Sequence, residues 1–454
     1  MSRKLFGTDG VRGVANLHPM TSEVALGLGR AIARLFRRKG SSQHSRVVIG
    51  KDTRRSGYMF ENALSSGICS AGADAIFLGP LPTPAIAFIT TAMRADAGVV
   101  ISASHNPFGD NGIKFFDHTG FKLPDELERK LEELMDAPIP PGEVPVGADV
   151  GKAYRVDDAP GRYIEFLKAS FPKDLKLEGF KIVVDCAHGA AYRVAPVIFE
   201  ELGATVIPLG VSPDGLNINQ DCGALHPKAM CEAVKKHGAN LGIALDGDAD
   251  RVILCDETGE KIDGDTILAI AAREMKERKA LKKDTVVGTL MSNFGLERFL
   301  QGLKIDLKRV NVGDRYVVEA MRAGGYNLGG EASGHLIFLD HSTTGDGILA
   351  ALQVLSIMKR RGEPLSSLKR LIVPVPQVLE NVRVHRRDEL SSFPSLQKKL
   401  SESETRLNGK GRLLLRYSGT EPLVRIMVEG EDERVVREIV QDLKDEVLKS
   451  LGSA

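Results

Sequence analysis

The sequence predicts an α/β fold: three similar α/β units with mixed sheets, followed by a smaller C-terminal α+β unit. Three observations lead there. Helical and strand patterns alternate from Thr21 to Gly362, which places helices on a parallel or mixed sheet. The order of those patterns recurs along the chain. Past Pro376 the alternation stops and paired strands with flanking helices take over.

The elements read as follows. Thr21 or Ser22 caps a helix whose apolar face is Val24, Leu28, Ala31 and Leu35. Arg46 to Gly50 forms a strand, Met59 to Ser70 a helix, Asp74 to Leu78 a strand and Pro84 to Ala92 a helix. The apolar strand Gly98 to Ile101 then stops at Ser102, Ser104, His105 and Asn106. Small polar residues at the end of a buried strand are where open α/β sheets place ligands. A Pro/Gly-rich turn follows, then a short strand carrying Lys114.

The pattern returns in Lys181 to Asp185, the helix Ala195 to Leu202 and the strand within Gly203 to Gly210. A helix from Pro227 to His237 leads to the strand Leu241 to Leu245. That strand ends in Asp246-Gly-Asp-Ala-Asp-Arg251, at the place Ser104 holds in the first unit. A weaker echo opens at Thr285, passes a helix from Gly295 to Leu300 and Val312-Gly-Asp-Arg315, and closes on Gly330-Glu-Ala-Ser-Gly-His335. Any α/β chain shows some such echoes, so the third copy stays open at this point. The tail reads as a strand (Val378 to Val384), a polar helix, two strands around Arg416-Tyr-Ser-Gly-Thr-Glu-Pro422, and an amphipathic helix from Asp432 to Leu451. Joints in the Pro/Gly-rich Ala137 to Gly151, around Asp256-Glu-Thr-Gly259 and near Gly362 to Pro376 divide the chain into units 1–150, 151–256, 257–370 and 371–454.

With 454 residues the chain is long enough for roughly three domains, each with its own core. Acidic and basic residues nearly cancel, at net charge +1 and without long runs, so no nucleic-acid or anionic-membrane surface is indicated. The N-terminal residues lack the apolar core of a secretory signal, and the apolar stretch Ile348 to Met358 is too short to span a bilayer. Five scattered cysteines with no Cys-x-x-Cys pair suit reduced thiols and a cytoplasmic setting.

Asp246, Asp248 and Asp250 alternate, so an extended segment would turn all three carboxylates to one side. At ~6–7 Å and an effective dielectric of ~20 each pair repels by about 2.5 kcal/mol, so a cation belongs among them. Hard oxygen donors without His or Cys suit Mg²⁺ or a similar ion. A calcium loop, with Glu257 as its last ligand, conflicts with Arg251 where such a loop turns on Gly. Adjacent residues on an extended segment point apart, so His105 is expected to be poorly placed as a base for Ser104, and a Ser/His hydrolase is set aside. Glu331, Ser333 and His335 fit sugar hydroxyls. Arg416-Tyr-Ser-Gly-Thr420 with Arg425 combines guanidinium groups, hydroxyls and free backbone N–H groups, the kit for a phosphate, and reads equally as a plain hairpin turn at this point.

Together these four loops, in this order and over essentially the whole chain, resemble the α-D-phosphohexomutase family. Phe6-Gly-Thr-Asp-Gly-Val-Arg-Gly13 and the form of the serine loop resemble its amino-sugar branch, which feeds UDP-N-acetylglucosamine synthesis. The resemblance implies four domains around a central cleft, with Ser104 as a phosphoserine. Mg²⁺ would be held by Asp246, Asp248, Asp250 and a phosphate oxygen on Ser104. Glu331 and Ser333 would bind sugar hydroxyls, and Arg416, Ser418, Gly419, Thr420 and Arg425 the phosphate that is not transferred. Arg12, Lys114, Arg251 and His335 would surround the reacting phosphate, with Lys114 or His335 as acid/base.

The implied reaction interconverts glucosamine 6-phosphate and glucosamine 1-phosphate through a 1,6-bisphosphate. Glucosamine 1,6-bisphosphate or another hexose bisphosphate would be the activator. The partner is a small sugar phosphate, with a homodimer left open. Ala332 departs from residues common at that place in relatives, so glucose or mannose phosphates stay as alternatives, and a Mg²⁺-dependent sugar phosphatase using the same serine and metal is a further one.

Overall fold

The computed structural model describes residues 5–7, 9–37, 44–418 and 423–452. Four sheets follow one another along the chain. The first contains β1 (Val11–Val14), β2 (Ser45–Lys51), β3 (Ala73–Pro80), β4 (Ala97–Ile101), β5 (Asp110–Asp117) and β6 (Ala153–Arg155), in the order β1-β5-β4-β2-β3-β6. The second contains β7 (Lys181–Asp185), β8 (Thr205–Leu209), β9 (Leu241–Leu245), β10 (Val252–Asp256) and β11 (Lys261–Ile262), in the order β11-β10-β9-β7-β8. The third contains β12 (Thr285–Thr289), β13 (Asp306–Val310), β14 (Leu328–Gly330) and β15 (Leu336–Phe338), in the order β13-β12-β14-β15. The last, β16 (Gln377–Arg383), β17 (Gly411–Tyr417) and β18 (Leu423–Gly430), is antiparallel in the order β16-β18-β17.

The echoes in the sequence have a common topology. In each of the first three sheets a central strand (β2, β7, β12) pairs in parallel with the next two strands, and the second of these pairs antiparallel with a fourth. The third copy therefore follows the same path as the first two. Its strands β14 and β15 have three residues each, too short to show as a pattern in the sequence.

Parallel strands need both faces covered, and the core is arranged accordingly. One continuous apolar cluster runs through all three units, from Val48 and Ile86 through Ile182 and Ile198 to Ile267 and Leu355. The helix Gly347–Arg361, which contains the apolar stretch noted above, lies at its heart and is buried at Ile348 to Leu352 and Val354 to Met358. No described helix is long and apolar enough to cross a membrane. The opposite faces of the sheets close on separate, smaller clusters. The C-terminal unit has its own core, built only from residues between Val378 and Leu451.

Candidate active site

The three turns that follow β4, β9 and β14 meet. Each joins two antiparallel neighbours, so each reverses the chain just past the C-terminal end of the first of them. The first carries Ser104, buried at 1% exposure, whose Oγ donates to Asp246 Oδ2 at 2.7 Å. The second carries Asp246, Asp248 and Asp250, all buried, each offering an oxygen within 4.8 Å of the others. The third is bound to the second by backbone: Arg251 and His335 form an antiparallel bridge, and Val252 N donates to Gly334 O at 3.0 Å. Gly334 permits this, since its φ is +93° and a Cβ would lie 2.2 Å from Val252 O.

Two expectations need correcting. The aspartates converge through a turn, with Ala249 at φ +57°, and not along an extended segment. Ser104 is likewise not extended: its φ of +52° swings it beside its neighbour, and Ser104 Oγ lies 3.2 Å from His105 Nδ1. Burial, then the cations Arg251 and Arg12, press the His105 pKa down to about 4, so this imidazole is neutral near pH 7. Glu257 is engaged elsewhere, by the Ser366 hydroxyl and amide.

The electrostatics of the cluster are uneven. Burial, then Asp250 and Asp248, push the Asp246 carboxyl well above the usual carboxylate range. Burial and Asp248 likewise raise Asp250. Burial also opposes ionisation of Asp248, but Lys114 at 3.1 Å and the Thr83 hydroxyl at 2.7 Å overcome it and hold Asp248 low. Burial works against the Lys114 ammonium in turn, yet Asp248, Asp9 and Asp250 raise its pKa above the ordinary lysine value. At under 4.8 Å and an effective dielectric of ~20, each carboxylate pair repels by about 3.5 kcal/mol. Asp248 Oδ1 and Asp250 Oδ1 are buried with no hydrogen-bond partner. Buried orphan oxygens in a hard-donor set fit a divalent cation such as Mg²⁺.

Of the remaining candidates, Arg12 donates to Ala103 O at 3.4 Å and pairs with Asp9, while Arg251 stands 3.9 Å from Asp250. His335 is buried, its Nε2 3.7 Å from Asp250 and 3.5 Å from Asp314, with neither ring nitrogen hydrogen-bonded. Glu331 accepts from Gly313 N at 2.9 Å and from Ser333 Oγ at 3.3 Å. Arg416 and Arg425 sit opposite each other on β17 and β18, and Arg425 reaches Ser418 Oγ at 3.5 Å. Burial and then Arg425 lower the Arg416 pKa, the sign of two guanidinium groups that an anion would relieve. Gly419 and Thr420 lie outside the described residues.

Sequence reasoning missed Asp9, Lys122 and Asp314. Lys114 lies 3.2 Å from Asp9, Lys122 bonds both Asp9 and Asp314, and Asp314 faces His335. This alternating chain of charge joins the first unit to the third around the cleft. Asp9 and Asp314 both stand in motifs already noted, Phe6 to Gly13 and Val312 to Arg315, which were the available signal.

Models of the phosphoglucomutase/phosphomannomutase family match the chain in order: alpha/beta/alpha domain I over 3–139, domain II over 161–259, domain III over 263–374 and the C-terminal domain over 379–446. The chain is 58% identical over 450 residues to a phosphoglucosamine mutase of Pelobacter propionicus, covering 99% of each. It is 59% identical to that of Citrifermentans bemidjiense at the same coverage. In fold it resembles a phosphoglucomutase/phosphomannomutase family protein from Burkholderia thailandensis, with TM-score 0.79, 24% identity and 98% and 96% of the two chains covered. It also resembles the Aspergillus fumigatus N-acetylphosphoglucosamine mutase in complex with GlcNAc-6P and magnesium, with TM-score 0.68, 21% identity and 98% and 96% covered.

Proposed function

This chain belongs to the phosphoglucomutase/phosphomannomutase family, on its phosphoglucosamine mutase branch, and we propose how its residues carry out that branch's interconversion of glucosamine 6-phosphate and glucosamine 1-phosphate. The observation that carries the reading is the Ser104 hydroxyl, 2.7 Å from Asp246 inside a buried set of three carboxylates with orphan oxygens.

Ser104 begins the cycle phosphorylated. The bond from its Oγ to phosphorus breaks as the free hydroxyl of the sugar phosphate bonds the same phosphorus; the sugar hydroxyl proton passes to a base and the departing Ser104 Oγ takes up a proton. The resulting 1,6-bisphosphate turns over in the cleft. Ser104 Oγ then gives up its proton and bonds the other phosphorus, and the sugar oxygen released takes up a proton. A hexose 1,6-bisphosphate acts as activator by priming Ser104 when it is unphosphorylated. Such transfer needs placement and charge stabilisation more than covalent help. Asp246, Asp248 and Asp250, with the phosphoserine, would hold Mg²⁺, which would supply neutralisation of developing phosphate charge.

Lys114, which its carboxylate neighbours keep as an ammonium, stabilises charge. His335, buried with both ring nitrogens unbonded, is the group we assign to the hydroxyl proton. Glu331 and Ser333 orient the sugar, Arg12 and Arg251 flank the reacting phosphate, and Arg416, Ser418 and Arg425, with Gly419 and Thr420, hold the other.

Two measurements test this. Ser104→Ala should abolish turnover and phosphoryl uptake by intact mass while circular dichroism stays native; a near-normal mutase rate would sink the mechanism. kcat/KM compared on glucosamine, glucose and mannose phosphates should favour glucosamine. Release of inorganic phosphate without isomer would point to a phosphatase instead.

A further inference from the structure

Ser104 adopts φ +52°, in the left-handed region that L-residues rarely enter. Strain of this kind persists only where the surroundings impose it. Here they act on two backbone carbonyls. Ser104 O accepts from Arg54 Nη2 at 3.2 Å and from Asn219 Nδ2 at 2.9 Å. Asn106 O accepts from the same guanidinium and, at 3.1 Å, from the same amide. Each donor therefore bridges both carbonyls, one on either side of His105.

The two donors come from different units. Arg54 follows β2 of the first sheet and is fully buried. Its other edge is paired with Asp52, whose Oδ1 also accepts from Arg54 N at 2.9 Å. Asn219 belongs to the second unit, in the stretch after β8. It is itself left-handed at φ +59°, and its N donates to Ala187 O at 2.9 Å. Gly247, inside the aspartate loop, completes the seat. A Cβ there would stand 2.6 Å from Ser104 O and 2.9 Å from Asn219 Nδ2.

We propose that Arg54 and Asn219 are positioning residues, forming a two-unit clamp that holds the serine loop in its left-handed turn and so keeps Ser104 Oγ on the aspartate cluster through the reaction cycle. The proposal rests on Ser104 being the phosphoryl carrier. Neither side chain bonds Oγ, so both act through the loop. The clamp is needed because Ser104 alternates between a hydroxyl and a phosphate of about −1.5 to −2 charge. The neighbouring carboxylates attract the first and repel the second. Without the clamp the turn relaxes towards ordinary φ and carries Oγ away from Asp246. Because one jaw belongs to the second unit, the reactive serine geometry exists only when the two units are docked.

Asn219 gives the cleaner test, since Arg54 removal would also leave Asp52 buried and unpaired. Asn219→Ala should lower kcat by about ten- to a hundredfold, the cost of a displacement near 1 Å at a reacting atom. KM for glucosamine 6-phosphate should stay within about twofold, because the sugar and phosphate loops are untouched. Phosphorylation of Ser104 by a hexose 1,6-bisphosphate, followed by intact mass in a single turnover, should slow by the same factor as kcat. Asn219→Asp, nearly the same shape, sets a carboxylate oxygen against two carbonyl oxygens and should lose at least as much while remaining folded by circular dichroism. The proposal is overturned if both variants keep kcat within about twofold of wild type, or if the whole loss sits in KM or vanishes at a temperature where the variant is fully folded. Wild type separates the two layers of inference. If it takes up no phosphoryl group at Ser104, the carrier reading fails; if it does and the variants match it, only the clamp fails.

Discussion

Asp250 has only distant charged neighbours: His335 Nε2 lies 3.7 Å away and Lys114 and Arg251 3.9 Å, and its Oδ1 is buried without a hydrogen bond. Its negative charge is therefore a burden on the metal-free protein and a gain once a cation is bound. Asp250→Asn should shift the two states in opposite directions. It removes like-charge repulsion with Asp246 and Asp248, so the metal-free Tm should rise. It also removes one hard anionic ligand, so the further rise on adding Mg²⁺ should shrink. That rise reports linkage, about 2.7 kcal/mol for a ligand at a hundred times its Kd. Thermal scans with and without Mg²⁺ on both proteins measure both effects; an unchanged Mg²⁺-dependent rise in the variant would mean that Asp250 does not hold the ion. The same reasoning explains the part of this site that the sequence leaves unread. Three aspartates at alternate positions announce a need for positive charge, but not that Lys114 answers through Asp248 or that Asp9, Lys122 and Asp314 carry the alternation on to His335. Such partners are fixed by how units pack, and no local pattern encodes them.

At the level of elements, the turn after β12 shows how one buried carboxylate can tie a helix to a joint. Asp265, in the first turn of the helix Gly264–Glu277, accepts from Asn293 N at 2.7 Å. Burial, outweighing its bonds to that turn, lifts its pKa to about 7. An acid with a raised folded pKa binds its proton more tightly in the native state than unfolded, where it titrates near ~3.9. Native protein then holds more protons between roughly pH 4 and pH 7, so stability falls as pH rises through that window, by at most about 4 kcal/mol. Asp265→Asn keeps an acceptor for Asn293 and cannot ionise. Its Tm should fall less than that of wild type between pH 5 and pH 8, and parallel slopes would refute the assignment. Elements of this size were largely legible in advance. The strands ending at Ile101 and Leu245 and the helix capped by Thr21 stand within a residue or so of where apolar runs and caps place them. The turns after them were legible only as locations. A left-handed serine and a left-handed alanine look like any other residues in a sequence, and the expectation that Ser104 and His105 point apart failed for that reason.

On the scale of the whole molecule, the first three units share one continuous core, whereas the C-terminal unit is attached mainly through polar contacts. Arg412 on β17 donates to Leu290 O at 2.7 Å and Ser292 O at 2.9 Å in the third unit. Its guanidinium is 2.5 Å from the buried Glu429, opposite it on β18. The exposed pair Arg298–Glu431 crosses the same boundary, where screening leaves it worth little. Four residues along β17 from Arg412 stands Arg416, and four along β18 from Glu429 stands Arg425. One end of a two-strand ladder thus grips the third unit while the other presents the arginines assigned to phosphate. Loosening the grip should therefore weaken phosphate capture without disturbing the cation site. Arg412→Met alone would strand a buried carboxylate, a loss of roughly 3–5 kcal/mol that could unfold the unit. The double variant Arg412→Met, Glu429→Gln avoids this. It should raise KM for glucosamine 6-phosphate by about fivefold or more, the range of a modest coupling between sites. The Mg²⁺-dependent rise in Tm of the main unfolding transition should equal that of wild type, because the aspartate loop belongs to the shared core. An unchanged KM would mean that the ladder is not what sets the arginine pair over the cleft. Loss of the Mg²⁺ response as well would mean that the C-terminal unit supports the fold of the other three.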